Sequence, residues 1–499
     1  MSFSAPTRRL ILASLALLAL APSIQAQGVR SEEHFLAKGT PAQTSYRILR
    51  SRAEGPCVLI VGGMHGNEPS GAAAAEQIST WDIKAGTLII VPRANVLALN
   101  ANQRRTPGLK GEAGDLNRAF PLQDEVRAGL ATDIWSLVTT YEPDWVIDLH
   151  EGFDFHRSNS KSVGSSVIHS NHDQARALAK KIIATVDATI DKPGQRFDRI
   201  QTQVAGSLAR AAFEAKGIPS IIIETTTKLH VLSYRVRQHR LAVFTLLQDL
   251  GLGPSPANTL IGPNAPKHSL RVAVFDGSGT GKNSARHMRS IIATAPDCLV
   301  RPIGSHDIRA GALDQFQVIV HPGGSGSAQA KALGESGRAA EIQFVRQGGG
   351  YLGVCAGAYL AACNYDWSLG LLDAKVIDRE HWRRGTGSIP VEWTPLGKKS
   401  LGPRSTAAQS LHFEIQYANG PIFLPAQEPH LKDFEPLLIY RGEVTQNGAP
   451  SGIMPGTPAI IRSTFGKGRA MAFSPHPEKT KGHHALLVNS LEWLGGKGN

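Results

Sequence analysis

Cysteine is scarce in this chain, with Cys57, Cys298, Cys355 and Cys363 the only four in 499 residues. Their spacing makes no CxxC pair and no disulfide framework, which excludes a cystine-stapled fold and a thiolate metal knot. In an oxidising compartment one pair has the option of bridging; otherwise all but Cys355 read as isolated buried thiols. Basic runs interleaved with aromatic residues are also missing, so nucleic acid is not an expected partner. The formal charge is nevertheless +12, a balance that favours anionic surfaces or substrates in general. No repeat relates one part of the chain to another. A phosphate-binding loop is absent as well: "DGSGTGKNS" has Asp276 and Asn283 where a G-x-x-x-x-G-K-[ST] match needs Gly and Ser or Thr, so Gly277 to Gly281 are expected to form a turn after a strand.

Long hydrophobic runs are confined to Leu10 to Ala21, preceded by Arg8 and Arg9 and followed by Ser23-Ile24-Gln25-Ala26. That run is too short to span a bilayer comfortably and no stop-transfer pattern follows it, so residues 1–26 read as an export signal removed on maturation. "TRRLIL" resembles a twin-arginine signal, and the apolar stretch suits the general route equally well. The mature protein is expected to be exported, in a periplasm, with no membrane span. Its formal charge falls from +12 to +10, because nothing else before position 27 is charged.

What remains is long enough for two cores. From about residue 40 to 250, the β-branched runs "CVLIVGG", "GTLIIVPRA", "DWVIDLH" and "PSIIIET" alternate with helical patterns such as "DQARALAKKIIATV". Continuous apolar strands separated by helices imply a sheet covered on both faces. A stretch rich in Gly, Pro and Asn follows, and then the pattern restarts with "LRVAVFDGSG", "FQVIVHPGG", "GGYLGVCAGAYLAA" and "RAMAFSPHPE". The expected organisation is two different α/β domains, at 27–252 and 269–499, joined by a linker at 253–268.

Three early strands end in a residue able to bind metal or move protons: His65 and Glu68 in "VGGMHGNEPSG", His150 closing "DWVIDLH", and Glu224 closing "SIIIET". Ligand-binding groups gather at the carboxyl ends of strands in an open α/β sheet. His65 and Glu68, three apart, can face one ion. His150 completes a two-His, one-Glu set with a position open for water, as in catalytic zinc. Glu224, left unbound, would take a proton from that water, whose pKa zinc lowers to about 7. An isolated H-x-x-E is more often plain solvated surface. Here "GDLNRAFP" adds Asn117 beside Arg118, a fork and an amide suited to a substrate carboxylate.

The pieces "GGMHGNEPSG", "DLNRAFP", "DLHEG" and "IIIET", in that order, resemble the zinc carboxypeptidase superfamily, in particular its succinylglutamate desuccinylase, aspartoacylase and murein-peptide amidase branch. The resemblance implies a mixed sheet flanked by helices, His65, Glu68 and His150 as Zn2+ ligands, Glu224 as general base, and Asn117 with Arg118 on the substrate carboxylate. It also implies an upstream arginine that polarises the scissile carbonyl; Arg104 and Arg105 are the candidates, with Arg105 preferred. The chain departs from the longer carboxypeptidases in having no tyrosine between Glu151 and Glu224. The activity implied is hydrolysis of an amide or peptide bond next to a carboxylate on a small-molecule or peptide substrate, in cell-wall peptides or in N-acyl amino acids.

In the second half, "GGGYLGVCAGAYLAA" puts Cys355 between an apolar run and an Ala-rich helical run, the sulfur analogue of a strand-turn-helix nucleophile elbow. Alone it reads equally as a small residue in a tight turn. "SPHPE" adds His476 and Glu478, a base and its orienter, and "HPGGSGS" offers the amides of Gly323 and Gly324 for an oxyanion. With "LHFEIQYANGPIF", these residues resemble the class I glutamine amidotransferases, more narrowly the domain at the N-terminus of some biotin-protein ligases. The resemblance implies a flavodoxin-like domain with Cys355 as nucleophile, His476 as base and Glu478 as its partner. No synthetase or ammonia-accepting domain accompanies it, which leaves either amide hydrolysis or a non-catalytic binding module.

Overall fold

The computed structural model describes residues 29–121, 129–190, 192–254, 270–402 and 411–496. The expected export signal at 1–26 and nearly all of the expected linker at 253–268 lie outside the described residues.

The first half builds an eight-stranded sheet in the order β1-β2-β4-β3-β5-β8-β6-β7. Its strands are β1 (Arg30–Leu36), β2 (Thr44–Arg50), β3 (Cys57–Gly62), β4 (Thr87–Val91), β5 (Trp145–Gly152), β6 (Ser166–His169), β7 (Asp198–Ile200) and β8 (Ser220–Thr226). Helices α1 (Pro69–Ile78), α2 (Val96–Ala101), α3 (Leu130–Tyr141), α4 (Asp173–Asp187), α5 (Leu208–Lys216) and α6 (Leu232–Asp249) connect them. The middle is parallel (β4, β3, β5, β8), while β2 and the β6/β7 pair run antiparallel to it and β1, antiparallel to β2, again follows the middle's direction, giving a mixed sheet. Both faces are covered, which is why these strands read as unbroken apolar runs. Val58 and Ile60 of β3 pack with Ala74, Leu178, Ile182 and Leu246 of the helices on one side. Leu59 and Val61 pack with Ile134, Val138 and Leu208 on the other.

The second half builds a nine-stranded sheet in the order β10-β9-β11-β12-β19-β18-β17-β14-β15, with β13 and β16 paired separately. Its strands are β9 (Leu270–Phe275), β10 (Cys298–Ile303), β11 (Val318–His321), β12 (Gly350–Val354), β13 (Ala374–Ile377), β14 (Thr386–Trp393), β15 (His412–Ala418), β16 (Ile422–Pro425), β17 (Glu435–Tyr440), β18 (Pro458–Phe465) and β19 (Gly468–Phe473). The helices are α7 (Ser284–Ile292), α8 (Ser305–Arg309), α9 (Gly326–Arg346), α10 (Ala356–Ala361), α11 (Pro395–Leu401) and α12 (Ala485–Leu494). The five parallel strands β10-β9-β11-β12-β19 follow the flavodoxin-like order. Four antiparallel strands extend that sheet beyond β19. This extension is the part the sequence pattern does not announce, because β14 and β15 bury one face only and alternate with polar residues.

The halves meet through α6. Buried Arg240 donates to Asp307 Oδ1 at 2.7 Å, and Ser233 donates through its backbone N–H to Asp276 Oδ2 at 3.4 Å and through its hydroxyl to the Asp276 carbonyl. Among the described residues no helix is long and apolar enough to cross a membrane.

Candidate metal centre and a cysteine elbow

The first site forms at the carboxyl ends of β3, β5 and β8. After β3 the chain turns sharply: the Glu68 N–H donates to the His65 carbonyl at 3.3 Å, so the spacing of three closes as a turn that precedes α1. Gly66 permits this, since a Cβ there would lie 1.8 Å from the Ala98 carbonyl oxygen. Glu68 becomes the N-cap residue of α1 and Pro69 occupies the first turn. His150 and Glu224 are register partners on the adjacent parallel strands β5 and β8, so their side chains leave the sheet on one face.

His65, Glu68 and His150 each bring one ligand atom to within 4.8 Å of the others, and all three are buried. His65 Nδ1 lies 2.9 Å from Glu68 Oε1, and His150 Nδ1 lies 3.0 Å from Glu68 Oε2. The His65 contact is close without hydrogen-bond alignment, and its Nδ1 has no hydrogen-bond partner although it is buried. His150 Nδ1 is hydrogen-bonded to Glu68 Oε2, so the unpartnered His65 Nδ1 is the atom whose lone pair is left for a divalent ion held among the three. The far ring nitrogens face carboxylates: His65 Nε2 lies 2.9 Å from Asp115 Oδ1 and His150 Nε2 lies 2.8 Å from Asp148 Oδ2. Such partners orient imidazole ligands and raise their basicity. The residues present therefore fit zinc, with a two-nitrogen, one-carboxylate set.

Electrostatics agree with that geometry. Burial disfavours a charged Glu68, but His65 and His150 outweigh it and hold the carboxyl well below its usual range. Asp115 is likewise lowered against its burial, by His65 and the arginines Arg104 and Arg118. Glu224 goes the other way. Burial first of all, with Glu68 and Asp148 adding to it against His150, pushes its carboxyl up to about 8. Its Oε2 has no hydrogen-bond partner. It is a carboxyl free to exchange a proton near neutrality.

A cavity of about 430 Å³ opens beside these groups and is lined by His65, Glu68, His150, Glu224, Arg104 and Arg118. Arg105 is not part of the lining. Arg104 donates to Glu68 Oε1 at 2.8 Å and lies 3.5 Å from Asp115 Oδ2, whereas Arg105 packs against Gly114. Of the two candidate arginines, Arg104 and not the preferred Arg105 is placed at the cavity; both sit in one irregular loop, where neighbours diverge without a readable period. Asn117 lines the cavity too, but its side chain is engaged at both ends. Its Nδ2 contacts His150 Nε2 at 3.1 Å and its Oδ1 accepts the Leu208 N–H at 3.1 Å. Arg118 lines the cavity beside it and donates through Nη1 to the Asn117 carbonyl at 2.7 Å. Asp115 and Asp148 are the residues sequence reasoning missed. A signal existed for Asp148, which stands two before His150 on one strand and so on its face.

The second site forms at the end of β12. Cys355 holds φ 51°, ψ −98°, outside the usual regions for a residue with a side chain, and α10 starts immediately after it. Glycines on both sides make the turn possible, since a Cβ on Gly353 would meet the Gly357 carbonyl oxygen at 2.3 Å. His476, three residues past β19, places Nδ1 2.6 Å from Glu478 Oε1. Burial opposes charge on this imidazole, but hydrogen bonds with Cys355 and Glu478 outweigh it and raise it to about 10. The backbone at Gly323 abuts both partners: a Cβ there would stand 2.9 Å from His476 Cε1 and 3.7 Å from Cys355 Cβ. Gly324 is fixed beside it by a bridge to Thr280, in the turn that Gly277 begins after β9. All four cysteines are unbridged.

Comparison with known proteins assigns the same two regions. Residues 54–247 match the family model of the succinylglutamate desuccinylase/aspartoacylase catalytic domain, and residues 270–383 match that of the biotin-protein ligase N-terminal domain. Over 107 residues the chain is 37% identical to the N-alpha-acetyl-L-2,4-diaminobutyric acid deacetylase of Halomonas elongata, covering 20% of this chain and 30% of that protein. Among solved structures, the mDAP-bound form of Helicobacter pylori Csd4, a D,L-carboxypeptidase, aligns with TM-score 0.35 and 23% identity over 40% of this chain and 52% of its own. The product-bound ectoine utilization protein EutE (DoeB) of Ruegeria pomeroyi aligns with TM-score 0.33 and 19% identity over 46% and 69%. The chain thus spans less than a third of the curated relative and about half of Csd4.

Proposed function

We propose that this chain, which joins a desuccinylase/aspartoacylase-type catalytic domain to a biotin-protein-ligase N-terminal-type domain, is an exported, periplasmic zinc hydrolase that cleaves an amide or peptide bond next to a carboxylate. The observation that carries the reading is the approach of His65, Glu68 and His150 to within 4.8 Å of one another, with Glu224 across the strand pair from His150. Zinc held by those three residues supplies a Lewis acid that polarises a carbonyl and acidifies water. The rest falls to the chain's own groups. Arg118 pairs with the substrate carboxylate and fixes the amide in reach. Arg104 donates to the carbonyl oxygen as negative charge develops there. Glu224 takes the proton of the attacking water at its unpartnered Oε2 and passes it to the departing amine. Asp115 accepts from His65 Nε2 and holds that imidazole in the tautomer that leaves Nδ1 free, while the Asp148 carboxylate lies beside His150 as a neighbouring negative charge.

Cell-wall peptides suit the proposed compartment and supply both carboxylates and side-chain amides. An N-acyl amino acid deacylase is the second reading. It is favoured by the likeness to a deacetylase and by the apolar cavity wall of Val163, Ile168, Val204 and Ile222, which suits a short acyl chain. In the second domain, Cys355, His476 and Glu478 are read as a nucleophile, base and orienter for amide hydrolysis. The test for the first domain is Glu224→Gln: zinc stays at one per chain by metal analysis while hydrolysis of murein tripeptides and of acyl amino acids is lost. Loss of zinc with activity intact contradicts the assignment. Cleavage by the unmodified protein of acyl amino acids alone rejects the cell-wall version.

A further inference from the structure

The cavity beside Cys355, about 690 Å³, is large for the amide of a single small amino acid. One side of it is a strap, residues 378–384, that follows β13. Arg384, almost wholly buried, pins the strap by pairing with Asp378, and its guanidinium also reaches the carbonyls of Val444 and Pro450. His381 Nδ1 adds a contact of 2.6 Å to Asp378 Oδ1. The anchored residues are thus at the ends and middle, while Arg379, Glu380 and Trp382 are presented to the cavity. Trp382 remains 48% exposed, a large apolar surface over which the Arg383 guanidinium stands 4.7 Å from the ring centroid. The Arg379 guanidinium lies 4.2 Å from the Tyr365 ring centroid, and Tyr365 stacks on Trp367 at 4.6 Å, so the strap and the wall beneath it form a continuous aromatic and cationic surface. Lys282 and Lys479 line the cavity as well, leaving Glu380 as the only exposed carboxylate among the lining residues.

We infer that the strap and the facing lysines make the Cys355 pocket a receptor for a carboxylate-bearing peptide or N-acyl amide larger than a free amino acid amide. The carboxylate pairs with Arg379, and a planar or apolar group lies on Trp382. The inference rests on reading Cys355, His476 and Glu478 as a nucleophile set. On that reading Cys355 Sγ bonds to the amide carbonyl carbon and the C–N bond breaks. The thiol proton leaves through His476 on the amine. Water then cleaves the thioester to a carboxylic acid and restores the thiol.

Alkylation of the full chain tests both levels, with Cys355→Ser subtracting the other three thiols and peptide mass locating the label. A simple thiolate prefers neutral iodoacetamide to anionic iodoacetate. At Cys355 the order is expected to reverse, with iodoacetate faster by about tenfold, and Arg379→Gln is expected to lower that ratio by about threefold or more. Chloroacetyl-phenylalanine, which adds a ring and a carboxylate, is expected to outpace chloroacetamide and to lose most of that advantage in Trp382→Ala. Rapid labelling by iodoacetamide with no preference for the anionic reagents overturns the receptor while leaving the nucleophile reading intact. Labelling no faster than at Cys57, Cys298 and Cys363 overturns both.

Discussion

Asp148 stands two residues before His150 and on the same side of β5, so its carboxylate meets the ring nitrogen that faces away from the candidate ion. Its replacement by Asn leaves the shape and removes the charge. Asp148→Asn is expected to weaken zinc affinity by about ten- to a hundredfold, read by chelator competition, with the fold retained by circular dichroism. The arginine pair gives a second comparison. Arg104→Lys is expected to lower kcat/KM for the hydrolysed amide by about a hundredfold, because a carbonyl-polarising donor is lost, while Arg105→Lys leaves it near the unmodified value. At this scale, legibility follows periodicity. His150 and Glu224 close visible β-branched runs, and the strand-end rule brings them together. Arg104 and Arg105 sit in a loop without a period, and Asn117 has its amide engaged by Leu208, 91 positions away, which no local spacing can reveal.

Helix α6 is the element that the sequence pattern describes least well. Its buried residues include Arg235, Gln238, His239 and Arg240, so it does not show the apolar stripe of a helix that packs on a hydrophobic core alone. The reason is its position. One side meets the first sheet, where Arg235 pairs with Glu151, and another meets the second half, where Arg240 pairs with Asp307. Removing one member of a buried pair strands the other. Arg240→Ala is therefore expected to destabilise the protein by about 3 to 5 kcal/mol in urea denaturation, whereas the double change Arg240→Met with Asp307→Leu costs much less. Two histidines, His230 just before the helix and His239 within it, set a pH dependence. Burial lowers His230 to about 4 and His239 to about 3, the latter with His150 and Arg235 adding to the effect. An unfolded chain takes up those protons below its own imidazole value near 6.5, and the folded chain does not until pH 4 to 3. Their contribution to stability is thus complete above that value and is lost as pH falls from about 6.5 towards 4 and then 3. The drop in urea midpoint between pH 7 and pH 5 is expected to be smaller in His230→Gln than in the unmodified protein. Strands buried on both faces are legible because they form unbroken apolar runs. The antiparallel extension β18-β17-β14-β15 is less so, since pairing partners up to several dozen residues apart leave only a weak alternation in each strand.

At the scale of the molecule, two sheets of different topology each end in a chemically equipped cavity, one beside Glu224 and the other beside Cys355. The division into two α/β halves is legible from the restart of the strand pattern after the Gly- and Pro-rich stretch. The joint between them is not, because charged residues that end up buried look in sequence like solvated ones. Chelation is expected to act on one half first: removing zinc leaves Glu68, His65 and His150 crowded without their counter-ion, so the thermal transition of the first domain falls while labelling of Cys355 is unchanged at room temperature. The Arg240–Asp307 and Ser233–Asp276 contacts carry a practical corollary for anyone dissecting the protein. A cut in the Gly- and Pro-rich stretch leaves these pairs to hold the halves together, and once the halves part it makes two raw edges, a guanidinium on one fragment and a carboxylate on the other. Recombinant halves should accordingly be poorly behaved when made singly and recover when mixed, so that grafting either one onto a foreign partner requires redesigning the outward side of a single helix.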